Sequence, residues 1–172
     1  MSNHMLTRFS PISGFSLVEM LVYIALLVIV MTAAISTILS FSEAFVGYKT
    51  EKVLTRQLSD VVERLQYDIR NSIAVNAVGS TLDVTPGTLV LDRIGSSVTY
   101  TLAAGVVTVA ENTGPALPLT GGVVTVTALT FSQFDSGVTE LVRLEITATA
   151  TIGNYTKTET YQTSALLRGS YE

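Results

Sequence analysis

The chain has 172 residues, 48% of them hydrophobic, a net charge of −4, no cysteine and a single histidine. That length suits one globular domain plus an anchor and is short for two domains. A mildly acidic chain gives no electrostatic footprint for nucleic acid, and without disulfides an exported domain rests on its apolar core.

Met1–Gly14 is short, polar and weakly basic, with Arg8 as its only Lys or Arg and no acid. A secretory signal peptide places its apolar region before the cleavage site. Here the order is reversed. The apolar run follows Gly14, and no charge except Glu19 interrupts it before Glu43. Met20–Leu39 amounts to roughly 30 Å of helix, enough to cross a hydrocarbon core. Arg8 on the near side favours a cytoplasmic N-terminus. Thr32, Ala33, Ala34, Ser36 and Thr37 dilute the second half of the run, which suits close helix packing. Composition alone leaves two readings of Met1–Gly14 open, a cleaved leader and an uncut signal anchor. Glu19 also has two readings: a functional carboxylate at the mouth of the span, or an interfacial acid that happens to precede it.

Gly14, then Phe15, then Glu19 at the fifth position after the cut resembles the N-terminus of type IV prepilins and type II secretion pseudopilins. The resemblance implies cleavage between Gly14 and Phe15 by a prepilin peptidase, with N-methylation of Phe15. It also implies that Glu19 pairs with the amino group of a neighbouring subunit's first residue and sets the assembly register. A buried carboxylate beside a neutralising cation is physically tolerable.

No proline lies between Pro11 and Pro86, and Gly47 is the only glycine between Phe15 and Val78. A helix is therefore expected to run to about Ile73, with a bend at Gly47 and a stop at Asn76 and Gly79. Leu54, Leu58, Val61, Val62, Leu65, Ile69 and Ile73 recur at helical spacing and read as a face laid on a folded domain. Arg56, Asp60, Arg64 and Asp68 alternate in sign every four residues and read as the opposite, solvated face.

After Ser80 the chain turns to period-two alternation. Strands are expected over Thr88–Asp92, around Val98–Leu102, and over Val106–Glu111, Val123–Phe134, Leu141–Ile152 and Tyr155–Leu167. Val123–Phe134 has a bend near Ala128, Asn112–Gly122 is a loop, and Gly153-Asn154 makes a tight hairpin turn. One apolar and one polar face means an antiparallel sheet covered on one side, with the helix stripe as its partner. The expected fold is α+β and pilin-like. Its segments are a leader over 1–14, a transmembrane and assembly half-helix over 15–40, an amphipathic half-helix over 41–79 and an extracytoplasmic β domain over 80–172.

The body is similar, more weakly, to J-type minor pseudopilins in Leu54–Leu58, Leu65–Arg70, Val98–Leu102 and Tyr161–Arg168. The disulfide loop of major pilins has no counterpart here, nor has the acidic calcium loop of major pseudopilins, and both absences lean towards a minor subunit. Without Cys, and with His4 inside the leader, the usual nucleophile, base and zinc sets are missing. No enzyme activity, cofactor or metal is expected. The reading is a structural minor subunit of a pilus or secretion filament that helps initiate or cap it. Its implied partners are other pilin subunits, the prepilin peptidase, the bacterial inner membrane and an assembly platform with its ATPase. Two alternatives stand beside it: a DNA-uptake or adhesion pilin that binds through its β domain, and an uncleaved membrane scaffold or sensor.

Overall fold

The computed structural model describes Gly14, residues 16–137 and residues 139–168. Phe15, and with it the expected methylation site, lies outside the described residues. The chain divides into two compact units, one ending at Glu43 and the other starting at Ala44.

One helix, α1, covers Leu17–Arg70, 54 residues. It starts at Ser16, whose carbonyl accepts from the Met20 amide (3.2 Å). Ser16 and Glu19 stand in the spacing of a capping box, and an acid in the first turn also suits the positive end of the helix dipole. In the first unit the side chains of α1 are exposed. Its hydroxyls turn back on the helix: Thr32 donates to Ile29 (2.9 Å), Ser36 and Thr37 to Ala33 (2.9 and 2.8 Å), and Ser40 to Ser36 (3.0 Å).

In the second unit the same helix is amphipathic, and its buried stripe packs on two antiparallel sheets. The first sheet has the order β1 (Ala74–Val75), β2 (Leu89–Arg93), β3 (Ser96–Ala103), β4 (Val106–Glu111) and β5 (Leu117–Pro118). The second has the order β6 (Val124–Asp135), β7 (Glu140–Ile152) and β8 (Tyr155–Leu166). The core joins Leu54, Leu58, Val61, Leu65 and Ile69 of the helix to inward residues of both sheets, among them Tyr100, Phe131 and Ile146. Gln57 ties the helix to the strand connection, donating to Gly121 O and accepting from Gly121 N, both at 3.1 Å.

Several details differ from the sequence reading. The helix ends at Arg70 rather than near Ile73. Asn71 and Ser72 favour local bonds to their own backbone over helix. The Asn71 amide side chain donates to Tyr67 O (2.8 Å) and the Ser72 hydroxyl to Asp68 O (2.5 Å). The Ile73 amide is already taken by Asp92 O of β2 (2.8 Å), and Ile73 is about half exposed. Asn76 and Gly79 form a turn after β1, closed by the Gly79 amide on Asn76 Oδ1 (3.0 Å). Gly47 lies inside α1 and is buried, because the Tyr155 ring covers it; a Cβ there would meet that ring at 3.3 Å. Part of the expected loop forms β5, and the strands form two sheets. Near Ala128, β6 has a register shift between Val126 and Ala128, the signature of a bulge.

Candidate assembly site

Gly14 and Ser16 are exposed, and Glu19 follows on the first turn of α1 with its carboxylate at the surface. The Tyr23 hydroxyl, one turn on, donates to Glu19 Oε1 at 3.4 Å. Glu19 is thus an exposed acid on the rim of an apolar helix, within reach of an approaching cation. The helix beyond it is long and apolar enough to cross a membrane, with mean hydropathy 2.5 over its most apolar stretch and none of that stretch buried.

Residues 10–35 match the family model of the prokaryotic N-terminal methylation motif. The match supports the superfamily of type IV pilins and pseudopilins, whose motif-bearing members are structural subunits. It implies assembly with other pilin subunits and handling by a prepilin peptidase. Together with the apolar helix it points to a membrane-anchored protein that enters a pilus. No curated protein and no solved structure matches the chain.

Of the seven residues read as the core face of the helix, all but Ile73 lie in the part of α1 that packs on the sheets. Leu54, Leu58, Val61, Leu65 and Ile69 are buried, and Val62 is half-buried against the same cluster. They position the domain and carry no chemistry. Asp68, read as solvated, is instead fully buried. Its carboxylate forms ion pairs with Arg93 of β2 and, at 3.3 Å, with Arg64 one turn earlier, and accepts from the Tyr100 hydroxyl of β3. Arg64 also reaches Glu111 of β4 at 3.2 Å. The Asp68 carboxylate thus fastens α1 to β2 and β3, and Arg64 beside it adds β4. Burial, followed by the hydrogen bond to Asp68, pushes the Tyr100 phenol well above its ordinary value of 10.0, and the charge of Asp68 raises Arg64. The sequence missed this cluster because alternating charges at four-residue spacing look alike on a solvated face and under a sheet.

Among the described residues, no group of three or more His, Cys, Asp or Glu could hold a metal ion. The fold brings Arg70 and Arg168 into one open cavity of about 490 Å3 with Leu141 and Leu166. Arg143 lies in the adjoining cavity, which shares Leu141 and Ser164.

Proposed function

We propose that the chain is a minor pilin or pseudopilin, a structural subunit that helps initiate or cap a filament built from the bacterial inner membrane. The match over residues 10–35 carries this reading, supported by an exposed acid on the first turn of a helix that is otherwise uncharged as far as Glu43. Prepilin peptidase cuts after Gly14, and the new Phe15 amine is methylated. In the membrane Glu19 pairs with the amine of a neighbour's first residue, which neutralises a carboxylate that lipid would otherwise penalise. Residues 15–40 form the transmembrane and assembly half of the helix, with the N-terminus cytoplasmic and the β domain on the far side. The weak likeness of the body to J-type pseudopilins favours the minor role. The protein acts by packing, and catalyses nothing.

The test is the mass of the N-terminal peptide from the full chain co-expressed with its own prepilin peptidase. A peptide starting at methylated Phe15 is expected. One starting at Met1 or Met5 would overturn the filament reading and leave a signal-anchored β domain.

A further inference from the structure

The three-stranded sheet has two edges, and the fold treats them differently. Along β6 several of the backbone groups facing away from β7 have partners. Gly87 donates to Leu129 O (2.7 Å), Asp83 to Phe131 O (2.8 Å), and the Val126 amide to Gly105 O (2.8 Å). Along β8 the opposite holds. Thr151 donates across to Val123 of β6 and Leu167 across to Glu140 of β7, which fixes the parity of the ladder. Even-numbered residues of β7 therefore bond to odd-numbered residues of β8. The N–H and C=O groups of Thr156, Thr158, Thr160, Gln162, Ser164 and Leu166 point away from the sheet. No hydrogen bond reaches them among the described residues. This edge is 12 residues long, contains no proline, and keeps a continuous register with β7. Natural sheets usually shorten, kink, charge or cover such an edge.

The side chains beside the edge form cross-strand rows on the outer face. One row, Phe134–Leu141–Leu166, is apolar and open, with Phe134 55% and Leu166 41% exposed. The next is Ser132–Arg143–Ser164. Arg70 and Arg168 line the cavity at the same end, and among the described residues neither makes an ion pair. The rest of the outer face of β7 and β8 is hydroxyl-rich, with Thr147 paired to Thr160 and Thr149 to Thr158, both at 2.8 Å.

We propose that the open edge of β8 is a pairing site for an extended strand from a different polypeptide. The strand continues the rows: an apolar residue in line with Leu166, a carboxylate beside it facing Arg168 and Arg70, and small or hydroxylated residues elsewhere. Its backbone satisfies the outward groups of β8, the mode by which sheet edges bind extended segments. A second copy of this chain is a poor occupant on two counts. Antiparallel pairing of two β8 strands over their full length would set Leu166 of one copy level with a threonine near the start of the other, and Arg168 would meet no carboxylate there. Parallel pairing in register would set Arg168 against Arg168. The proposal rests on the sheet edge and is independent of how the N-terminus is processed.

The test is residue-resolved amide exchange on the full chain in detergent. The probe is a capped eight-residue peptide of alternating threonine and valine, ending in leucine and aspartate. In the free chain the amides of Thr158, Thr160 and Gln162 are expected to exchange about tenfold or more faster than those of Lys157, Glu159 and Tyr161. Saturating peptide slows the first set by about tenfold and leaves the second unchanged. Two peptides N-methylated on alternate residues, one for each edge, must differ: one binds like the parent and the other does not. Arg168→Glu weakens the parent and favours a version carrying lysine in place of aspartate. Equal slowing of both sets, equal binding of the two methylated peptides, or no slowing at millimolar peptide overturns the proposal. So does protection in the free chain that grows with protein concentration, since the occupant would then be a second copy.

Discussion

At Asp68 a fully enclosed carboxylate is held by two guanidinium groups and a phenol, so the cost of removing it depends on what is left behind. Asp68→Ala strands Arg93, whose side chain is only 19% exposed, and is expected to lower unfolding free energy by about 3 kcal/mol or more. Arg64→Met removes a guanidinium that is 45% exposed and is expected to cost less than about 1 kcal/mol. Denaturant titration of the full chain in detergent compares the two, and equal losses would contradict the burial account. Tyr100 adds a pH dependence. In the unfolded chain its phenol ionises near 10.0, while in the folded protein it keeps its proton to higher pH. The unfolded state therefore binds fewer protons above about pH 10, and stability must fall as pH rises past that point. Tyr100→Phe is expected to flatten this alkaline slope while lowering stability at neutral pH through the lost bond to Asp68; an unchanged slope would exclude Tyr100 as its source. Glu19 lies at the other end of the helix, where its proposed role is in assembly. Glu19→Ala is expected to be cut and inserted normally yet be absent from sheared filaments, and mutant at wild-type levels there would sink the pairing role.

The contact between α1 and the β7–β8 hairpin depends on Gly47. A Cβ there would approach the Tyr155 ring at 3.3 Å, and Tyr155 is itself 41% exposed at the strand end. Gly47→Ala should therefore be tolerated, because the ring can shift a few tenths of an ångström while alanine adds about 1 kcal/mol of helix preference. Gly47→Leu displaces the ring and is expected to lower the melting temperature. Adding Tyr155→Ala should recover part of that loss, and additive losses in the double variant would show that the two residues do not couple. Sequence periodicity made most elements readable: the alternation of Val142, Leu144, Ile146 and Ala148 placed β7, and Gly153-Asn154 placed its hairpin. What it could not supply was long-range pairing. The two-residue strands β1 and β5 exist only because Asp92, Leu91, Thr108 and Val109 are beside them. The division into two sheets depends on where β4 stops pairing and β6 begins, which no local pattern records. The helix end was misplaced for the same reason, since Asp92 of a distant strand takes the Ile73 amide.

On the scale of the whole molecule, the first unit presents between Glu19 and Glu43 a long uncharged and largely apolar helix surface that water cannot solvate cheaply, so lipid or other helices must cover it. Its hydroxyls are no obstacle, because Thr32, Ser36, Thr37 and Ser40 already donate to carbonyls within the helix. An ionised side chain in the same stretch has no such outlet. Val28→Arg is expected to reduce membrane insertion by about 2.5–3.5 kcal/mol, on the order of a hundredfold in the inserted fraction. Thr37→Val, which removes only a satisfied hydroxyl, is expected to leave it unchanged. Alkaline carbonate extraction of cell membranes reads both. The alkaline weakening expected from Tyr100 loosens the second unit under these conditions, so retention in the pellet reports the anchor itself. Loss of Val28→Arg from the pellet with full retention of Thr37→Val would establish a lipid-spanning segment. Equal retention of both would mean that the apolar surface is covered by other helices or by protein, and that lipid is not its main solvent.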